Sequence, residues 1–146
     1  MASLKALILG LLCVLGLDLS SAYGFECGRM AVHSVIIDDG KKLSLFMSEE
    51  QFDPTLEWSP GQGEPPLSIS KATKLALDWA KNKYSRFDSV GIWSIAMYRY
   101  SCFTSKEHWF YIFNFQPIIE GAKLFGGAHF AAVLMDGTVI GPEADD

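Results

Sequence analysis

The chain has 146 residues, 49% of them hydrophobic, and 12 Lys and Arg against 17 Asp and Glu give a formal net charge of −5. Mild acidity with no basic patch argues against a nucleic-acid surface. The length suits one domain around one core, and no repeat, low-complexity tract or coiled-coil heptad interrupts it.

Lys5 precedes an apolar run from Ala6 to Leu17, followed by Ser20-Ser21-Ala22-Tyr23-Gly24. A short positive region, a hydrophobic core and small residues at the −3 and −1 positions describe a secretory signal peptide over residues 1–24, with cleavage before Tyr23 or Phe25. The apolar run is shorter than the ~20 residues a membrane-spanning helix needs. No later segment is longer, so the mature chain is expected to be exported, periplasmic or secreted, without a transmembrane segment. Cys13 falls inside the leader, behind a Gly10-Leu11-Leu12 that lacks the small residue a lipobox places before its cysteine. Cys27 and Cys102 remain. In an oxidising compartment they form a candidate disulfide that would contribute ~3–4 kcal/mol; the alternative is two separate thiols. Neither has a second cysteine or a histidine at ligand spacing, so no metal is expected.

Residues 25–146 read as a single domain. Met30–Asp38 and Leu43–Met47 alternate as strands around Asp39-Gly40, which predicts a first β-hairpin over 25–47 with a type I′ turn. Residues 48–67 are rich in Pro and Gly: Asp53-Pro54, Ser59-Pro60-Gly61, Gly63, Pro65-Pro66. Proline removes backbone donors, so this is a long loop, pinned to the body of the domain by Phe52, Leu56 and Trp58. Ser68 is a good N-cap for one helix over 68–84. Ile69, Ala72, Leu75, Ala76, Trp79 and Ala80 form its apolar stripe, opposite Lys71, Lys74, Asp78 and Lys81. An antiparallel meander over 89–141 follows. Its strands are Ser89–Ser101, His108–Gln116, Ala128–Met135 and Thr138–Ile140, with a turn at Thr104–Glu107, a looser segment at Pro117–Phe125, and an Asp136-Gly137 turn. The fold class is therefore α+β: one main helix packed across a curved antiparallel sheet, preceded by a β-hairpin.

In the aromatic strand, Trp109, Tyr111, Phe113 and Phe115 point one way and Phe110, Ile112 and Asn114 the other. Both faces are apolar, and one helix covers only one of them. The second face must be covered by the chain's own loops, a second subunit or a ligand. Trp58, Tyr98, Tyr100, Trp109 and Tyr111 are the candidate partner surface on or near that face, with the Trp58–Pro66 loop at its rim.

No motif identifies a reaction. His33, His108 and His129 sit in or beside strands as edge or surface residues, without H-x-H or H-x-x-x-H spacing. No G-x-S-x-G elbow or G-x-x-x-x-G-K loop occurs, and Asp38-Asp39 is a turn pair. No catalytic residue and no cofactor are assigned.

From Pro65 onward the order of features resembles the PepSY domain, a cystatin-like module of exported bacterial proteins. The resemblance rests on Pro66-Leu67-Ser68-Ile69-Ser70-Lys71-Ala72, on Trp109-Phe110-Tyr111-Ile112-Phe113, and on Ala132-Val133-Leu134-Met135-Asp136-Gly137-Thr138-Val139-Ile140. It implies a non-catalytic domain that binds or restrains a partner, in some relatives a peptidase. The Gln-x-Val-x-Gly hallmark of cystatin inhibitors is absent. The expected protein is thus an exported, monomeric or weakly dimeric binding domain for a protein or peptide partner. The other readings are a small extracytoplasmic enzyme with His33, His108 or His129 in the sheet concavity, and an envelope-associated structural protein.

Overall fold

The computed structural model describes residues 28–102 and 107–145. The leader predicted over 1–24, Cys27 and most of the predicted Thr104–Glu107 turn lie outside the described residues. Within them the chain runs β1 (Met30–Ile36), β2 (Lys42–Met47), a 3-10 turn (Glu49–Gln51), α1 (Ile69–Lys83), β3 (Ser89–Arg99), β4 (Trp109–Ile119), β5 (Ala122–Lys123), β6 (Phe130–Leu134), β7 (Val139–Ile140) and β8 (Glu143–Ala144). The large sheet has the order β3-β4-β6-β7, with β5 added on β4; the small sheet has the order β1-β2-β8. All pairings are antiparallel. The fold is α+β, as the element order predicts, although the large sheet is not strongly curled.

Strand alternation produces two cores, because successive side chains leave a strand on opposite faces. On one face, Tyr111, Phe113 and Phe115 of β4 and Ala131 and Val133 of β6 meet Ala72, Ala76 and Ala80 of α1. The three alanines are fully buried and let the helix lie close to the sheet. Ser68 caps α1 as expected, its hydroxyl accepting from the Lys71 backbone N–H at 3.3 Å. Ile69, read as part of the buried stripe, is 52% exposed. Trp79 is half-buried, stacked on Phe115 with its edge toward Tyr84.

On the other face, Phe110 and Ile112 of β4 and Phe130, Ala132 and Leu134 of β6 pack against Leu45 and Met47 of β2. The N-terminal hairpin, rather than a loop or a second subunit, is the cover over this half of the sheet. That makes three layers: hairpin, sheet, helix. β6 is buried along its whole length because it is sandwiched between the other two.

The turns depart from expectation in an informative way. The Asp39-Gly40 turn is not type I′. The Ile37 N–H bonds to the Lys41 carbonyl and the Gly40 N–H to the Ile37 carbonyl, with Gly40 at φ 79°. This is the three-residue pattern in which a turn is followed by a left-handed glycine. Asp136-Gly137 repeats it, with the Leu134 N–H on the Thr138 carbonyl and Gly137 at φ 93°. The doubly left-handed turn falls instead at Glu120 (φ 48°) and Gly121 (φ 76°), between Ile119 and Ala122. The segment read as loose at Pro117–Phe125 therefore continues β4 to Ile119 and folds back as β5.

The long loop is held as its residues suggest. Phe52 and Trp58 are buried and Leu56 is partly buried. The Tyr111 hydroxyl donates to the Leu67 carbonyl at 2.8 Å, fastening the loop's exit to the sheet. At the C-terminus β8 leaves the large sheet and pairs with β2, reinforced by Lys42–Asp145 and Arg29–Glu143 ion pairs at 2.6 Å each.

Candidate functional site

The hairpin covers the second sheet face only as far as Ile112. Beyond it, the same face of β4 continues as Asn114 and Gln116. Opposite them on β3 stand Ser94, paired with Asn114, and Gly91, paired with Gln116. Between Ile92 and Ser94 the β3–β4 register slips by one residue, Trp93. Such a bulge leaves one residue unpaired and re-aims its side chain. Trp93 is accordingly 65% exposed in mid-strand. Its ring meets Phe125 edge to face, with centroids 6.1 Å apart and planes at 87°.

These residues enclose a cleft of about 420 Å³, lined by Trp93, Ser94, Asn114, Phe115, Gln116 and the 124–127 segment. That volume lies in the ~300–1,000 Å³ range of small-ligand sites. Gly127, at its margin, leaves its Cβ direction 3.5 Å from Val35 Cγ1, so the hairpin abuts the wall. Every polar side chain in the lining is uncharged. The Asn114 amide donates to the Ser94 hydroxyl at 2.9 Å, which fixes the amide plane across the strand pair. An amide offers two donors and two acceptor lone pairs, so one such bond leaves Asn114 most of its capacity.

The five residues read as one partner surface do not share a face. Cross-strand partners do: Trp109 opposite Arg99 and Tyr111 opposite Met97 lie on the helix side, while Tyr98 opposite Phe110 lies on the hairpin side. Tyr111 and Tyr100 are core residues, 1% and 3% exposed. Trp58 is buried edge-on against Trp109, 6.2 Å between centroids, so the Trp58–Pro66 loop borders the helix side. Only Tyr98, 46% exposed, is available on the hairpin side. The aromatic pair that is accessible there, Trp93 and Phe125, was not among the five; nothing in strand alternation announces a bulge.

The histidines are in three places. His33 presents its ring to Phe130 at 5.0 Å, and His129 lies edge-on to Tyr84 at 4.9 Å and Phe87 at 5.5 Å. Burial holds both imidazoles below their ordinary range, with the Arg86 charge adding to the effect on His129. His108, read as a surface histidine, is buried and stacked on Phe52. It borders, with Asp53 and Asp136, a recess of about 10 Å³. That is room for one water at most. None of the three lines the Trp93 cleft. Among the described residues no three His, Cys, Asp or Glu converge as metal ligands, and no helix is long and apolar enough to cross a membrane. Cys102 is half of a disulfide; Cys27 lies outside the described residues.

Burial pushes the Tyr84 phenol up to about 12. Its oxygen lies near the Phe130 backbone without a well-formed hydrogen bond. No protein-family model matches the chain, and neither a curated protein nor a solved structure does.

Proposed function

We propose that this protein is an exported, non-catalytic domain that binds a partner molecule outside the cytoplasm, and that the Trp93–Phe125 cleft is the contact. The observation that carries the reading is a 65%-exposed indole turned outward in mid-strand beside a 77%-exposed Phe125. Large apolar side chains gain roughly 1.5–3 kcal/mol each from burial. Two left exposed against each other, over a floor of fixed polar groups, are a surface waiting for cover. The distribution of the histidines supports binding over catalysis, since the cleft offers no general base. The leader composition supports export, and a disulfide at Cys102 fits an oxidising compartment. The PepSY-like helix start and closing hairpin support the same non-catalytic role.

The test is affinity capture from an extracytoplasmic extract, with the mature chain and its Trp93→Ala variant side by side. The expected result is bound material, protein or carbohydrate, that the variant fails to retain. Equal retention by both chains would remove the cleft from the reading.

A further inference from the structure

We propose that the cleft binds a neutral oligosaccharide, with the C–H face of a pyranose ring against the Trp93 indole and ring hydroxyls against Ser94, Asn114 and Gln116. The inference rests on the binding role proposed above and names its ligand class.

The lining argues for a polyol by matching and by exclusion. An indole face is electron-rich and attracts the slightly positive C–H bonds of a sugar ring as it attracts other positive edges. The hydroxyls on the ring's rim both donate and accept, and amides and hydroxyls are the side chains that can answer in both senses. Asn114 and Gln116 stand two residues apart on one strand, with Ser94 opposite Asn114.

Three other ligand classes fit less well. A purely apolar ligand would cover Ser94, Asn114 and Gln116 without satisfying them, and a buried polar group left unpaired costs ~1–3 kcal/mol. A charged ligand would find no counter-charge in the lining, and the chain's net charge of −5 repels anions in particular. An extended peptide recognised by strand addition needs free backbone groups at a sheet edge. The floor strand β4 is interior, with its main chain already engaged. β3 is the edge strand, but it presents Trp93 and Ser94 to the cleft by their side chains, and a peptide added to its edge would lie beside the cleft in the plane of the sheet, not across the floor.

The test is titration of the mature chain with maltohexaose, cellohexaose, mannohexaose and chitohexaose, with an anionic hexagalacturonate as comparator. It is read by calorimetry and by ¹H–¹⁵N spectra. At least one neutral hexasaccharide should bind saturably below about 10 mM, shifting the side-chain amides of Asn114 and Gln116 and the indole N–H of Trp93. Trp93→Ala should weaken that binding at least tenfold, while Trp93→Tyr, which keeps an aromatic face, should retain more of it. An unchanged melting temperature in both variants shows that the fold is intact. The proposal is overturned if no neutral sugar binds, if Trp93→Ala binds as well as wild type, or if the galacturonate binds best. It is overturned equally if sedimentation shows that the cleft is filled by a second copy, with Trp93→Ala dissociating a dimer. Loss of all sugar binding alongside Trp93-dependent capture from the extract would discard the glycan and keep the binding role.

Discussion

Gly141 follows β7 where the chain passes the end of α1, and a side chain there has no room. An added Cβ would sit 2.5 Å from Trp79 Cζ2 and 3.1 Å from Cη2, against an ordinary contact of 3.4–4 Å. The indole would have to retreat by roughly 1 Å, yet it is stacked on Phe115 and abuts Tyr84. Overpacking of this kind costs ~1–3 kcal/mol. Gly141 is not at positive φ, so alanine meets no backbone strain and gains ~0.4–1 kcal/mol from a less disordered unfolded state. The net loss for Gly141→Ala is therefore roughly 0–2.6 kcal/mol, read by urea unfolding or as a fall in Tm of ~3–6 °C per kcal/mol. The decisive comparison is a double-mutant cycle with Trp79→Leu. In that background the clash is gone, and Gly141→Ala should be neutral or slightly stabilising. An equal loss in both backgrounds would show that the cost does not come from the indole.

Two further expectations concern pH and redox. His33 and His129 have folded pKa values below 6.5, so the unfolded chain binds protons first; stability present above pH 6.5 should fall as pH drops through that value toward the folded pKa. Tyr84 works at the other end, because its folded pKa of about 12 exceeds the ordinary 10, and stability present below pH 10 should be lost as pH rises from 10 through 12. Urea midpoints across pH should thus show a plateau between the two limbs, and Tyr84→Phe should soften the alkaline one; a midpoint that rises above pH 10 would contradict the burial argument. Non-reducing digestion of the mature chain should yield a peptide joining Cys27 to Cys102, and reduction should lower stability by ~3–4 kcal/mol; two reactive thiols in the unfolded, unreduced chain would rule the bridge out.

Much of the architecture was legible because local signals agreed with one another. Ser68 announces a helix, and the alanines at 72, 76 and 80 say which side of it is close to something. The Asp-Gly pairs announce reversals, although not their geometry, since the same dipeptide serves two-residue and three-residue loops. Pro117 argues locally against a strand, yet β4 runs through it, paired at Val90, with its carbonyl accepting from the Leu124 N–H at 2.9 Å. β8 carries no strand signal at all. Its two paired residues are held by the Asp145 N–H on the Lys42 carbonyl and by ion pairs to residues about 100 positions away. Tyr98 and Tyr100 lie on the hairpin side and Trp109 and Tyr111 on the helix side, and the division has a simple cause. Aromatic content does not specify a face; cross-strand register does, and it needs the partner strand.

The site itself is written in the composition of β4, once the hairpin's reach is known. On the hairpin side this strand reads Phe110, Ile112, Asn114, Gln116, and the change from apolar to amide falls where the cover ends. A sheet face left to solvent should turn polar in this way. Trp93 and Phe125 break the pattern, since they are apolar where the cover is missing. Polar replacements there would cost the fold little, because neither residue belongs to either core. Their presence is therefore not accounted for by packing, whereas the bulge that turns Trp93 outward and the Asn114–Ser94 bond that fixes the floor are both accounted for by a molecule lying across them.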